Sequence, residues 1–392
     1  MNCHCDVLIV GGGPAGGLAA LLLARAGRAV LLLEALPVLD ERVCGAYLCP
    51  AGVALLDGLL LRNELTAGMR PLFGMALVAP NGRRLQTRFP SGTRVPNFGL
   101  SLLRPQFDNA LLQGGARAGA TIRFGARMQN LHRAADGWTV ELQTGEQISA
   151  RLLIGADGRK SSVARLLGLA AAPWQKRVAL HVDVPSLTET EPYGEMHVFE
   201  DGTYIGLNPI GRRRLNISAL CGPQALHGGT ARDFINQRTQ SSPEFRHRIA
   251  PLDEEAKVRA TFPAASNAQD VVTANAALIG DASGFLDPLT GEGIYQALWT
   301  AKALVENVSA AWQGEARLNA ALRRYATQRR HQHLGKRLCC QAFQEIIRRP
   351  RLSNSIHRFL SFRQGVGDAF IGLIGNNYTP VQAVWNIVKA LT

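Results

Sequence analysis

Apolar residues fall along this chain in two rhythms. Unbroken runs at 7–10 (VLIV) and 30–33 (VLLL) predict short parallel strands buried on both faces, with a glycine turn and a helix between them. A helical pattern spans 53–65. Residues 73–98 read as strand-rich, with Asn81-Gly82 turning a hairpin between 75–79 and 85–89. Arg104 opens a helix that runs into a strand at 121–124. Alternation over 131–150 predicts an antiparallel meander turning at Thr144-Gly145, and a separate buried strand at 152–154 delivers Gly155, Ala156, Asp157 and Gly158.

From 177 to 222 the pattern is β throughout, three or four strands joined at Asp201-Gly202 and Gly211-Arg212. Residues 231–248 are helical in pattern, and 258–262 return to the sheet. A second strand, loop and helix occupy 276–298: the strand ends on Gly280 and Asp281, the loop holds Pro288 and Gly291, and the helix begins near Gly293 with Ile294, Ala297, Leu298, Ala301, Leu304 and Val305 on one face. Residues 318–347 predict an amphipathic helix with Arg and Lys outside, followed by shorter apolar segments at 356–362 and 366–374.

The first turn carries chemistry. Gly11, Gly13 and Gly16 have the G-x-G-x-x-G spacing, with Ala15 in the same turn. Gly11 permits the tight turn, Gly13 lets the backbone approach a pyrophosphate, and Gly16 lets the helix pack on the strand. The phosphate then rests on a helix N-terminus, whose free N–H groups favour an anion. Glu34 closes the second strand where a carboxylate can accept from a ribose 2′-OH and would repel a 2′-phosphate, so the adenosine expected is that of FAD or NAD rather than NADP. An arginine at a helix start is unfavourable for the dipole, so Arg104 calls for a nearby anion. The loop 35–50, with Arg42, Cys44 and Tyr47, follows the second strand where it would fold back over a bound cofactor.

Composition adds bounds. With 392 residues, 46% hydrophobic and 19% charged, the chain is an ordinary globular protein of two or three domains. Arg25 and Arg28 interrupt the richest apolar stretch before it reaches the roughly 18 residues of a membrane span, and the early start of the first strand leaves no room for a signal peptide, so a cytoplasmic protein is expected. Seven cysteines without a C-x-x-C pair predict free thiols and no metal site. The net charge of +13 is concentrated in 315–392, where 13 Lys and Arg face 3 Asp and Glu, a net of +10. No RNA-binding motif accompanies that charge, which disfavours nucleic acid; an acidic carrier protein or an anionic membrane surface is the expected partner of this region, with the membrane version peripheral.

With the glycine turn through Glu34, Arg104, Asp157-Gly158 and Gly280-Asp281 in this order, the chain resembles the two-domain flavoproteins of the para-hydroxybenzoate hydroxylase fold. The resemblance implies an α/β protein in which a Rossmann-like FAD-binding domain of the glutathione-reductase type (1–72, 99–175 and 263–312) is interleaved with an antiparallel-sheet substrate domain (73–98 and 176–262), followed by a basic helical region (313–392). It implies that Gly11, Gly13 and Gly16 hold the FAD pyrophosphate, that Asp281 binds the ribityl chain, that Asp157 and Gly158 lie near pyrophosphate and nicotinamide, and that Arg104 contacts FAD. The segment GDASGFLDPLTGEGIYQAL, the RVCG loop and the helix RPQFDNALLQGGARAGA resemble those of geranylgeranyl reductases. Two stretches depart from that pattern: the loop reads CGAYLCP, and YIGLNP at 204–209 is poor in aromatics. The two-tryptophan signature of flavin halogenases is absent.

These departures fall at loops expected to line the site and favour a monooxygenase that uses NADPH or NADH and O₂ to hydroxylate a hydrophobic aromatic or polyketide-like substrate. The alternative is an ene-reductase acting on a prenyl or lipid chain. A third reading, of another class, is a basic protein binding nucleic acid or an anionic surface with a structural flavin. Cys44 and Tyr47 are the candidate substrate-side residues, and His181, His197 and Tyr204 lie on predicted strands facing the same region.

Overall fold

The computed structural model describes residues 3–287 and 291–391; the candidate Pro288 therefore lies outside the described residues. The helices, in chain order, are α1 (Pro14–Arg25), α2 (Pro50–Gly58), α3 (Arg62–Leu65), α4 (Arg104–Arg117), α5 (Ser162–Leu166), α6 (Ala231–Ser241), α7 (Pro243–Arg246), α8 (Gly293–Ser309), α9 (Glu315–Ile347), α10 (Pro350–Leu360), α11 (Gln364–Ile374) and α12 (Pro380–Leu391).

Two sheets organise them. In the first, the strands Ala276–Leu278, Gln147–Gly155, Cys3–Val10, Val30–Leu33 and Thr121–Arg123 lie side by side and parallel. Helix α1 is buried on nearly every side because it is wedged between this sheet, α4 and α8; glycines make that possible, since a Cβ on Gly114 would stand 2.6 Å from Leu21 Cδ1. The meander and the buried strand read as separate elements at 131–154 share one nine-residue strand, Gln147–Gly155. Its first half alternates between buried and open positions and its second half is buried throughout, so the side-chain rhythm changes without a break in the backbone.

The second sheet runs Arg259–Thr261, Val178–Pro185, Arg214–Cys221, Tyr204–Gly211, Tyr193–Val198, Gly74–Val78 and Arg84–Arg88. Its neighbours are antiparallel except where Gly74–Val78 meets Tyr193–Val198 in parallel. Tyr47–Leu48, Gly99–Ser101 and Arg70–Leu72 form a small third sheet between the two.

The helix expected over 53–65 is broken. Leu60 adopts φ +56°, the Leu60 N–H donates to the Asp57 carbonyl and the Leu61 N–H to the Leu56 carbonyl, a left-handed closure built on a residue other than glycine. Leu61 is thereby turned into the core. The C-terminal region docks on the body: Leu318, Leu322 and Tyr325 of α9 are buried, and the Tyr325 hydroxyl donates to the Leu278 carbonyl at 2.7 Å. Helix α12 has no counterpart in the sequence reading, because its β-branched Val and Ile content weakens the helical signal. None of the described helices is long and apolar enough to cross a membrane.

Candidate functional site

A cavity of about 850 Å³ opens between the two sheets. Gly11, Gly13, Ala15, Glu34, Arg42, Cys44, Tyr47, Arg104, Asp157, Gly158, Gly280, Asp281, Gly291 and Gly293 all line it; Gly16 does not, and its part is played one layer behind.

The glycine turn has three distinct geometries. Gly11 has φ +111°, and a Cβ there would lie 2.4 Å from the Ala156 carbonyl oxygen. A Cβ on Gly16 would lie 1.9 Å from the Gly11 oxygen, so the helix can approach the strand only without one. Around Gly13 there is open space on the cavity side: nothing lies within 4 Å of a Cβ built there. Gly13 is also the N-cap of α1, with no side-chain cap and no acid in the first turn, leaving backbone N–H groups free for an anion. These features fit an FAD pyrophosphate.

Glu34 is buried, and its carboxylate accepts from the N–H groups of Gly12 and Leu36, both at 2.9 Å, with Arg42 at 3.4 Å. The anion that Arg104 calls for is Asp108, one turn along α4, bonded at 3.1 and 2.8 Å; the guanidinium is also bonded to the Cys44 side chain. Asp157 spends its carboxylate on the start of α5, accepting from the Ser161 hydroxyl at 2.5 Å and the N–H groups of Ser162 and Val163 at 2.7 and 3.1 Å. Its side chain therefore fixes the turn, and Gly158, at φ +80°, faces the cavity.

Asp281 is different. Its carboxylate opens onto the cavity, and its ion-pair partner among the described residues is Arg159, at 3.6 Å. Burial raises its pKa above the usual carboxylate range. An acceptor with spare lone pairs at that point fits a ribityl hydroxyl. Arg159 was missed by the sequence reading, although its place directly after Asp157-Gly158 is a signal; it also donates to the Val43 carbonyl at 3.1 Å, tying the loop 42–47 to the turn.

The loop 42–47 is clamped from the second sheet. The Cys44 carbonyl accepts from His181 Nδ1 at 2.9 Å, Ser218 Oγ at 3.1 Å and Asn216 Nδ2 at 3.2 Å. Burial holds the His181 pKa below its ordinary value, so this imidazole is a neutral fastener. Tyr47 presses its ring against Gly291, where a Cβ would come within 2.6 Å of Cδ1. Its hydroxyl is buried on the side of Gly99 and has no hydrogen-bond partner, so Tyr47 is a wall rather than a proton donor. His197 does not line the cavity: it bonds Glu195 at 2.9 Å and packs at a tilt against the Phe245 ring of α7, inside a network with Arg84, Arg248 and Glu244.

The loop before α8 is gripped at both ends by the C-terminal helices. On one side the Asp287 carboxylate accepts from the Tyr204 hydroxyl at 2.7 Å and from the amides of Gln175 and of Gln344 on α9. On the other, Lys336 of α9 bonds Glu292 at 2.7 Å, and Asn376, just past α11, bonds both. Helix α8 starts at Gly293 with no side-chain cap and no acid in its first turn, so its positive end looks into the cavity. These contacts span forty residues or more and leave no local sequence signal.

Residues 4–338 match the family model described as FAD binding domain. Over 321 residues the chain is 28% identical to a menaquinone reductase of Mycolicibacterium smegmatis, covering 78% of this chain and 76% of that protein. Among solved structures it superimposes on a geranylgeranyl bacteriochlorophyll reductase-like protein from Thermoplasma acidophilum with a TM-score of 0.78 at 19% identity, covering 100% and 96% of the two chains. It superimposes on PqsL of Pseudomonas aeruginosa, named a probable FAD-dependent monooxygenase, with a TM-score of 0.73 at 20% identity, covering 91% and 100%. The match across most of the chain, on a cavity whose glycine turn, open carboxylate and helix N-terminus suit FAD, means that this protein belongs to the FAD-binding-domain family of flavoprotein oxidoreductases.

Proposed function

We propose that the chain reduces a carbon–carbon double bond of a hydrophobic, isoprenoid-type substrate, drawing electrons from NADPH or NADH. One observation carries this reading. The polar side chains on the cavity floor are already spent on protein partners: Tyr204 on Asp287, Asn208 on the carbonyls of Gly45 and Ala46, and Ser218 on that of Cys44. Glu195 is likewise spent on His197 and Arg248, and what remains on the sheet for a substrate is mainly Ala179, Leu180, Met196, Leu207, Ala219 and Leu220, with Thr261 on the edge strand. A phenol brought to that floor leaves its hydroxyl unpaired, at a cost of about 1–3 kcal/mol, whereas a hydrocarbon chain brings no such group. The similarity to a menaquinone reductase, a protein named for a prenylated quinone, supports the same substrate class.

Bound FAD supplies the two-electron redox chemistry. The chain's part is to hold the pyrophosphate at Gly11–Gly13 and α1, to offer Asp281 to the ribityl hydroxyls, and to aim the positive end of α8 at negative charge on the ring. Saturating a double bond adds a hydride to one carbon and a proton to its neighbour. The Cys44 thiol, on the cavity wall beside Arg104, is the group suited to deliver that proton, and solvent returns it.

Hydroxylation, favoured by the loop departures, needs the same dry cradle and is the competing outcome. Photoreduced holoprotein mixed anaerobically with geranylgeranyl diphosphate, which has no quinone ring to accept the electrons, separates the two. Recovery of the oxidised flavin spectrum without oxygen is expected; recovery only on admitting O₂, with an oxygenated product, would favour hydroxylation.

A further inference from the structure

The C-terminal helix carries apolar residues on two opposite faces, and the fold covers only one. Ala383 is buried, and with Ile387 and Ala390 it lies on the face turned to the body. Val381, Val384, Trp385, Val388 and Leu391 fall on the other at helical spacing, with Val381 80% and Trp385 69% exposed. Arg363 donates to the Ala390 carbonyl at 3.0 Å, which brings the α10–α11 turn and its 72%-exposed Phe362 beside the end of α12. A patch of this kind on a soluble body marks an interaction surface.

Charge identifies the partner. From 348 to 391 there are six Lys and Arg (Arg348, Arg349, Arg351, Arg358, Arg363, Lys389) and one acid, Asp368, a net of +5. Arg351, Arg358 and Arg363 are exposed along the same segment as Phe359 and Phe362, and Asp368 is bonded to Thr87. An exposed aliphatic and aromatic stripe flanked by cations is the pattern of a helix lying in the interface of an anionic bilayer. Position strengthens the case. Helix α12 packs on α11, whose Ile371 and Ile374 cluster with Tyr47 and have Met75 against them, and both Tyr47 and Met75 line the cavity. Helix α11 alone stands between α12 and these wall residues of the substrate space.

We infer that the outer face of α12, with the adjoining α10–α11 turn, docks this enzyme on an anionic lipid bilayer. The surface deepens the functional reading by giving a hydrophobic substrate its source, and it stands or falls on binding alone, so its failure and that of the proposed reaction are read separately.

The experiment is flotation of the full-length holoprotein with phosphatidylglycerol-containing vesicles and with pure phosphatidylcholine vesicles. Flotation with the anionic vesicles is expected, weakened about tenfold by Trp385→Glu and preserved in Trp385→Phe, while both variants keep their flavin. Arg358→Glu is expected to weaken it by roughly fivefold or more. Brominated anionic lipid should quench a fluorescence component that Trp385→Phe lacks. Absence from the anionic fraction, equal flotation with neutral vesicles, or flotation untouched by Trp385→Glu each overturns the proposal. A dimer in sedimentation velocity that Trp385→Glu dissociates would also overturn it, by assigning the stripe to a second copy of the chain.

Discussion

The Gln344 amide, in the last turn of α9, donates to the buried carboxylate of Asp287, 57 residues away. Lys336 and Asn376 grip Glu292 at the far side of the same loop. The helices after 313 are therefore fastened to the loop before α8, and part of their basic charge is committed there. Gln344→Leu leaves Asp287 short of one charge-assisted bond, a loss of about 1–3 kcal/mol. A lower Tm for the holoprotein and a weaker FAD Kd by calorimetry are expected, with unchanged affinity counting against the clamp.

The glycines of the first turn should fail in different ways. Gly13→Val fills open space on the cavity side without touching the protein, so a folded, colourless apoprotein is expected. Gly16→Val drives a side chain into the Gly11 carbonyl and should not fold at all. Circular dichroism beside the flavin spectrum separates the two, and full FAD content in Gly13→Val would refute the pyrophosphate assignment. Asp281→Ala should give pale protein of normal secondary structure.

Cys44 and Tyr47 lie three residues apart on one loop, yet opposite outcomes are expected. The Tyr47 hydroxyl is buried without a partner, so Tyr47→Phe removes a desolvated polar group and should be neutral or stabilising by up to about 1–3 kcal/mol, with turnover retained. Cys44→Ala should cut kcat by roughly a hundredfold while FAD stays bound, if the thiol delivers the proton. Equal losses in both variants would reassign the pair to packing.

Acid stability should depend on His333 of α9. Burial, reinforced by Arg329, Arg337 and Lys336, lowers its pKa from 6.5 to about 3 in the fold. Between those values the unfolded chain binds a proton that the native chain refuses, so stability is fully present above pH 6.5 and is lost as the pH falls toward 3. His181 and His357, also lowered by burial, act in the same direction. Urea midpoints against pH should flatten over this window in His333→Gln; an unchanged slope would assign the effect elsewhere.

What could be read from the sequence was what glycine and short-range pattern encode. The turn at Gly11–Gly16, the Gly280-Asp281 strand end and the hairpin at Asn81-Gly82 each announce themselves within a few residues. The break at Leu60 was hidden because leucine stands where a left-handed closure usually has glycine. His197 follows strand alternation, which fixes the face of a strand but not which face meets the cavity. The bonds of Arg159, Gln344 and Lys336 join segments far apart in sequence, where no periodicity reaches.

The central claim is that the apolar floor presents a hydrocarbon double bond for reduction. Its most direct measurement is the mass of the product formed from geranylgeranyl diphosphate, which has no quinone ring to take the electrons, with NADPH as reductant, in two parallel reactions: one anaerobic and one under ¹⁸O₂. The account predicts a product that has gained two hydrogens, formed equally without oxygen and free of label, and formed much more slowly by Cys44→Ala. A product found only in the aerobic reaction and carrying one ¹⁸O atom would contradict it.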